Sequence, residues 1–250
     1  MRLKRNLFLW RLEEYWFDEN GYLESTADIV ALRTHGEVQK FDCCLEERTR
    51  LIDLKLDEHE IEKKFSSSLR YGIRQAKKTY TLFKATTLDD RNRFYEAYLP
   101  FARERGLLVP KPDEENDLEI FLATDHSNTL VQASAFLFVP SAKIYRYRYG
   151  VTLQKSEANK AILSEAIVAA KKLGCRWFDL GGISPNAQVG SKSAGINSFK
   201  NLFGGVDKES HLYIKSKRWY FILAFRFLQV SGLIKQLPRL FTFISKIMGH

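Results

Sequence analysis

The sequence has few cysteines and no long apolar run, and these absences exclude several classes of protein. Cys43, Cys44 and Cys175 are odd in number and two of them are adjacent, which fits neither a disulfide framework nor a metal site. No stretch of about 18 apolar residues runs without a charge, so we expect no membrane-spanning helix. The apolar run Leu7–Trp10 is too short for a secretory signal. A cytoplasmic protein is therefore expected.

Acidic residues are fewer than basic ones. The 250 residues contain 39 Lys and Arg against 30 Asp and Glu, a formal net charge of +9. A basic surface attracts anions, such as the phosphates of a nucleotide, tRNA or coenzyme A, or an acidic membrane face. The charge alone selects none of these partners. Hydrophobic residues make up 45% of the chain, which excludes a disordered protein.

Residues 1–78 read as short strands followed by a basic helix. The strand patterns are Ile29–Arg33, Val38–Cys43 and Arg50–Lys55. From residue 57 to residue 78 apolar residues recur at helical spacing, with lysines and arginines around them. We expect this helix to break near Ser66–Ser68.

Residues 79–216 alternate strand and helix patterns in an informative order. The expected strands are Tyr80–Ala85, Leu118–Ala123, Leu130–Val139, Ile144–Gly150, Arg176–Leu180 and Ser210–Lys215, and the expected helices are 87–105, Glu157–Leu173 and Asn197–Phe203. The helix 157–173 joins two strands as a right-handed parallel crossover. The order β-α-β-β-β-α-β-α-β is that of the GNAT acyltransferase fold. This predicts an α/β (α+β) protein with a mixed, mostly antiparallel sheet flanked by helices.

Two segments carry spaced motifs. The first is the strand Leu51–Leu54 with the helix Ser68–Lys78, which reads SLRYGIRQAKK. The second is WFDLGGI at 177–183 with GINSFKNLFGG at 195–205. In these motifs the chain resembles the FemABX family, the peptidoglycan-bridge aminoacyltransferases, which are built from GNAT-like domains. Because known two-domain members are longer, we expect residues 79–216 to form one complete GNAT-like core and residues 1–78 a partial second one.

The resemblance implies transfer of an acyl or aminoacyl group onto an amine of a cell-envelope precursor. It implies aminoacyl-tRNA or acyl-CoA as co-substrate, an anionic nucleotide- or lipid-linked acceptor, and neither a bound cofactor nor a metal. Lys200 and the backbone of Phe199 match the family's F-K pair at the reacting ester, so Lys200 would stabilise the oxyanion electrostatically. Alternatively, Phe199 and Phe203 only pack a short helix on which Lys200 is solvated.

The residues themselves indicate further site candidates. Asp179, Gly181 and Gly182 end a strand beside the expected cleft, where Asp179 could accept a proton, orient the amine or cap the glycine-rich turn. The histidines show no triad or metal spacing.

The basic helix offers a second group of candidates. Arg70, Arg74 and Lys77 share one helix face, with Tyr71 at its edge, and could grip a pyrophosphate or a phosphorylated acceptor. A solvated basic face that serves only solubility is the alternative.

Tyrosines alternate with arginines between Tyr145 and Tyr149. Strict strand alternation places Tyr145, Tyr147 and Tyr149 on one face, where all three could line an acyl tunnel, donate a hydrogen bond or belong to the core. Arg146 and Arg148 then form the opposite face, which either meets the cleft or is exposed. The alternation also suits single-stranded nucleic acid.

The loop after the expected fourth strand distinguishes the donors. Acyl-CoA-dependent GNAT members carry Q/R-x-x-G-x-G/A there, and backbone amides bind the pyrophosphate. Residues 154–160 read QKSEANK, without either glycine, and Glu157 would repel phosphate. This favours aminoacyl-tRNA. An acyl-CoA-dependent N-acyltransferase of an amino sugar, and a non-catalytic protein that binds an envelope precursor or nucleic acid, are the other hypotheses.

Residues 217–250 contain lysines, arginines and many aromatics but no acid. This composition predicts a pair of amphipathic helices, broken by Gly232 and Pro238, lying on the anionic inner face of the plasma membrane. Docking on the core or on a second subunit is the alternative. The sequence makes no prediction of oligomeric state.

Overall fold

The computed structural model describes residues 2–7, 10–17, 21–105 and 118–230. The strands are β1 (Arg2–Leu7), β2 (Trp10–Trp16), β3 (Ile29–Thr34), β4 (Cys43–Asp53), β5 (Thr81–Lys84), β6 (Leu118–Thr124), β7 (Leu130–Val139), β8 (Ile144–Thr152), β9 (Trp177–Ile183) and β10 (Val206–Ser216). The helices are α1 (Glu58–Lys64), α2 (Ser67–Thr79), α3 (Leu88–Glu104), α4 (Ala158–Lys172), α5 (Lys192–Asn201) and α6 (Trp219–Val230).

The chain forms two compact units, one from residues 48–98 and 117–208 and the other from 1–47, 99–116 and 209–250. These bounds differ from the division at residues 78 and 216 drawn from the sequence, and that three-part division stays a prediction.

The unit of residues 48–98 and 117–208 contains a mixed sheet in the order β4-β9-β8-β7-β6-β5. Neighbouring strands are antiparallel except β8 and β9, which are parallel and connected through α4. The predicted mixed, mostly antiparallel sheet and its parallel crossover are therefore confirmed. One face of α4, including Ile162, Leu163 and Ile167, is buried in the core of this unit.

Local capping explains why the basic helix breaks where the sequence predicts. Asp57 and Glu60 form a capping box at the start of α1, each accepting a hydrogen bond from the other's backbone amide. The Ser66 hydroxyl accepts from the Leu69 amide at 3.1 Å and starts α2 afresh. Helix α2 approaches α4 closely at Gly72, where an added Cβ would overlap the Glu157 carboxylate.

The other unit pairs β1 with β2 antiparallel, β2 with β3 parallel, and β3 with β10 antiparallel. The predicted strand at 38–43 is wrong except for Cys43. The Val38 amide donates to the Tyr213 hydroxyl, a side chain, and backbone pairing with β10 begins only at the Asp42 amide, which donates to the Ile214 carbonyl. Lys40 also has a positive φ of 71°, which no strand residue adopts.

Within the described ranges no helix is long and apolar enough to cross a membrane. The predicted second tail helix lies outside the described residues.

Candidate active site

A cavity of about 450 Å³ lies between β8, β9, α4 and α5. Predicted site residues from three separate segments line it: Tyr147, Gly181, Gly182, Phe199 and Lys200. The parallel β8–β9 pairing and the packing of α5 against β9 bring these segments together.

Lys200 is buried at the wall of this cavity, with 8% of its surface exposed. Its Nζ donates a hydrogen bond to the Gly182 carbonyl oxygen. Burial lowers the pKa of Lys200 to about 8; the Asp179 charge opposes this shift, and the Arg146 charge adds to it. The alternative of a solvated Lys200 is therefore wrong. The lysine is a desolvated group that can change protonation near neutral pH.

Helix α5 is tied to the end of β9, which fixes the position of Lys200. The Ser191 hydroxyl caps the helix by accepting from the Ala194 amide at 3.2 Å. Asn197 Nδ2 donates to the Ser184 carbonyl at 2.8 Å, and the Ser184 amide donates back to Asn197 Oδ1 at 3.1 Å. On the core side, the rings of Phe199 and Phe203 pack edge to face with centroids 5.6 Å apart.

Asp179 is fully buried and both of its carboxylate oxygens are engaged. Oδ1 accepts from the Thr49 hydroxyl and, at 2.7 Å, from the Gly181 amide, while Oδ2 pairs with the Arg146 guanidinium. Gly181 has a φ of +84° but lies within β9, where the β4–β9 register shifts, so this contact belongs to an irregular strand and not to the glycine-rich turn that the sequence offered as an alternative. Asp179 thus orients Arg146, which lines the cavity.

The predicted alternation of tyrosines and arginines on β8 holds from Tyr145 to Tyr147 and fails at Arg148. The β7–β8 pairing has an irregularity that places Ala135 opposite Tyr149 but Phe136 opposite Tyr147. Such an extra residue breaks the two-residue period of a strand. Arg148 lies at this irregularity, and Arg146, Tyr147 and Arg148 all line the cavity.

The tyrosines of β8 accordingly have different surroundings. Tyr145 is in the core and donates a hydrogen bond to Glu119 at 2.6 Å. Tyr147 lines the cavity, where burial raises its pKa to about 12, so it is a neutral phenol at physiological pH. Tyr149 packs on Tyr98 of α3 with ring centroids 5.0 Å apart and is not among the lining residues.

The structure does not bring the basic face of α2 to the cavity wall. Arg70 donates to the Phe65 carbonyl oxygen at the end of α1, and Lys77 pairs with Glu165 of α4 at 2.6 Å. Tyr71 and Arg74 are exposed. Arg70 and Lys77 therefore hold helices together, and the substrate-binding role of these four residues stays a prediction.

Three further residues line the cavity: Arg146, Arg148 and Asn159. The sequence left open whether the two arginines face the cleft, and it did not indicate Asn159 as a site residue. Asn159 Oδ1 accepts from the Ser134 hydroxyl at 3.2 Å. Its place at the start of α4, within the segment 154–160 where GNAT members bind coenzyme A, was the available signal.

No protein-family model matches the sequence, and no curated protein matches it. Among solved structures, FemX matches with a TM-score of 0.63 and 14% identity over 89% of this chain and 86% of FemX. L-PGS from Bacillus licheniformis matches with a TM-score of 0.56 and 13% identity, over 95% of this chain and 86% of L-PGS. The C-terminal domain of a putative lysylphosphatidylglycerol synthetase from Agrobacterium fabrum matches with a TM-score of 0.55 and 12% identity, over 79% of this chain and 71% of that domain. The chain thus shares the fold of FemX, a likeness that its motifs predicted.

Proposed function

We propose that this protein transfers an acyl or aminoacyl group onto an amine in the cavity between β8, β9, α4 and α5. The observation that carries the proposal is Lys200, a buried lysine at the cavity wall whose pKa is lowered to about 8. Acyl transfer develops negative charge on the carbonyl oxygen, and a fixed cation in a poorly hydrated site stabilises that charge strongly.

In the proposed reaction, the amine nitrogen attacks the carbonyl carbon of the donor ester. A C–N bond forms, the C–O bond to the leaving group breaks, and the proton lost by the amine ends on the leaving oxygen. Lys200 Nζ donates a hydrogen bond to the oxyanion of the tetrahedral intermediate. Asp179 acts as a positioning residue, because it holds the Arg146 guanidinium at the cavity wall.

Packing at the start of α4 supports an aminoacyl ester, such as aminoacyl-tRNA, over acyl-CoA as donor. Glu157, the N-cap residue of α4, makes no side-chain cap bond and pairs with Lys160. Helix α2 lies against this turn, so closely that an added Cβ on Gly72 would meet Glu157 and Lys160. A carboxylate and a packed helix thus occupy the place where pyrophosphate would need backbone amides.

The cavity wall supports an anionic acceptor. Arg146 and Arg148 line it beside Lys200, and guanidinium groups match carboxylate and phosphate oxygens in pairs. A lysylphosphatidylglycerol synthetase shares the fold and, by its name, makes a lysyl lipid. We infer that the acceptor amine belongs to a nucleotide- or lipid-linked cell-envelope precursor.

Parallel transfer assays test the proposal. The purified protein is incubated with charged tRNA or with acyl-CoA and a panel of amines, and acylated products are measured. Lys200→Met should lower turnover by about 10²–10³-fold, the effect of removing one oxyanion donor. Lys192→Met is the matched control, because Lys192 lies on the same helix but is exposed. Full activity of Lys200→Met would refute the role of Lys200, and no turnover with either donor would refute the proposed activity.

A further inference from the structure

Among the described side chains of helix α6, Phe225 packs on its own unit, with Phe221 and Ile222 partly buried against the same cluster. Phe225 is buried and packs with Leu12, Ile29 and Ile214, which come from β2, β3 and β10. The helix therefore lies on the sheet, as the docking alternative from the sequence required.

The other face of α6 is apolar and exposed. Trp219, Leu223 and Phe227 are 72%, 56% and 69% exposed, and Tyr220 beside them is also exposed. Their four-residue spacing aligns Trp219, Leu223 and Phe227 in one stripe along the helix. Exposed large side chains that adjoin one another mark an interaction surface, whereas single ones are ordinary.

Basic residues flank this stripe. Lys217 and Arg218 precede the helix and Arg226 lies within its last turns, while the sequence from 217 to 250 contains no acid. Arg218 and Arg226 are exposed, and Arg218 Nε lies 3.9 Å from the Asp28 carboxylate. Lys217 Nζ donates to the Thr26 carbonyl at 2.9 Å and Arg226 to the Asp42 carbonyl at 3.2 Å, so both cations are fixed near the helix.

We propose that α6 binds the surface of an anionic lipid bilayer, with the stripe of Trp219, Leu223 and Phe227 inserted at the headgroup boundary. An apolar face on a helix that has no acid of its own, bordered by basic residues, complements acidic headgroups above acyl chains. The rings of Trp219 and Tyr220 suit the headgroup level, where amphipathic aromatics concentrate. This surface is independent of the proposed transferase activity.

Vesicle sedimentation of the full chain tests the proposal. Vesicles of phosphatidylcholine containing phosphatidylglycerol should pellet the wild-type protein, and vesicles of phosphatidylcholine alone should pellet much less. Leu223→Glu with Phe227→Glu should weaken binding to the acidic vesicles at least about tenfold, because two carboxylates must then enter the interface. The matched control is Leu88→Glu with Val189→Glu, which adds the same charge at exposed apolar positions elsewhere and should leave most binding intact.

Other occupants of the stripe give different results. If a second copy covers it, analytical ultracentrifugation will show a wild-type oligomer that the Leu223→Glu, Phe227→Glu variant dissociates, without vesicle binding. If residues 231–250 cover it, that variant will lower the melting temperature and wild-type protein will not bind vesicles. Either result overturns the proposal. Transfer to soluble amines should be unchanged in this variant, so failure here is distinguishable from failure of the proposed activity.

Discussion

A lysine side chain that is only 8% exposed has lost most of its hydration, and the low pKa of Lys200 is the direct result. Asp179 provides a compensating negative charge, but its carboxylate is already paired with Arg146. At neutral pH Lys200 therefore stays charged at the expense of folding stability. Such a loss of stability is typical of a functional site. A solvated lysine would destabilise the fold less, but it would also be a poorer electrostatic catalyst.

The stability cost of Lys200 gives a pH-dependent prediction. Its pKa is near 10.5 unfolded and about 8 folded, so the unfolded chain binds more protons between these values. Wild-type stability should rise with pH across that window. Lys200→Met should be more stable than wild type below pH 8, by on the order of 2 kcal/mol, with the difference shrinking as the pH approaches 10.5.

Urea unfolding at pH 7 and pH 10 measures this difference. Lys192→Met, which removes an exposed lysine from the same helix, should change stability by less than about 0.5 kcal/mol at either pH. A Lys200→Met protein less stable than wild type at pH 7 would contradict the prediction.

Individual site residues were predictable only where a motif or a local rule identifies them. The motif at 177–205 points to Lys200 and Gly181, and both line the cavity. Arg148 was left open because strict strand alternation was assumed, and a local irregularity in pairing is invisible in a single sequence. Arg70 and Lys77 look like free cations until their partners, which tertiary packing supplies, are known.

At the scale of elements, local signals predicted most helices and strands correctly. The break at Ser66 and the strands β5 to β9 follow from capping and from hydrophobic periodicity over several residues. The stretch 38–42 was wrong because its backbone partners, Tyr213 and Ile214, are remote in sequence. Strands β1 and β2 were not predicted, since the pairing that stabilises them is equally invisible to a local pattern.

The glycines that end the second motif have a structural explanation at the junction between α5 and β10. Gly205 has a φ of +86°, and a Cβ there would overlap the backbone carbonyl oxygen of Leu51 in β4. Gly190 has a similar φ of +80° but open space around it. Both Gly190 and Gly205 have a backbone conformation that disfavours other residues, but only Gly205 is also in close contact with a neighbouring strand.

Gly205→Ala should lower the free energy of unfolding by about 3 kcal/mol or more, because β4 must move as well as the strained residue. Gly190→Ala should cost about 1 kcal/mol, since only its backbone conformation is unfavourable. Chemical denaturation of both variants gives the comparison. If Gly205→Ala and Gly190→Ala lower the free energy of unfolding equally, the backbone at Leu51 relaxes without cost, and its closeness does not explain the glycine at 205.

For the molecule as a whole, the dominant electrostatic feature is its net charge of +9. Helix α2 contributes Arg70, Arg74, Lys77 and Lys78 and no acid. Part of this charge is internally paired, as Lys77 is with Glu165, but Arg74 and Lys78 are exposed. A polyanionic donor such as tRNA would be attracted over its full length, whereas a short aminoacyl ester would sense only the cavity.

Ionic strength therefore distinguishes donors under the proposed function. Raising salt from about 0.1 M to 1 M shortens the Debye length from about 10 Å to about 3 Å, which screens the surface charges but affects the buried Lys200 much less. The kcat/KM for aminoacyl-tRNA should fall at least about tenfold over this range, while that for a short uncharged aminoacyl ester should change little. Arg74→Gln with Lys78→Gln should reduce the salt dependence with tRNA and leave the short donor unaffected. If both donors lose activity in parallel, salt acts on the cavity or the fold, and the surface charge has no part in donor capture.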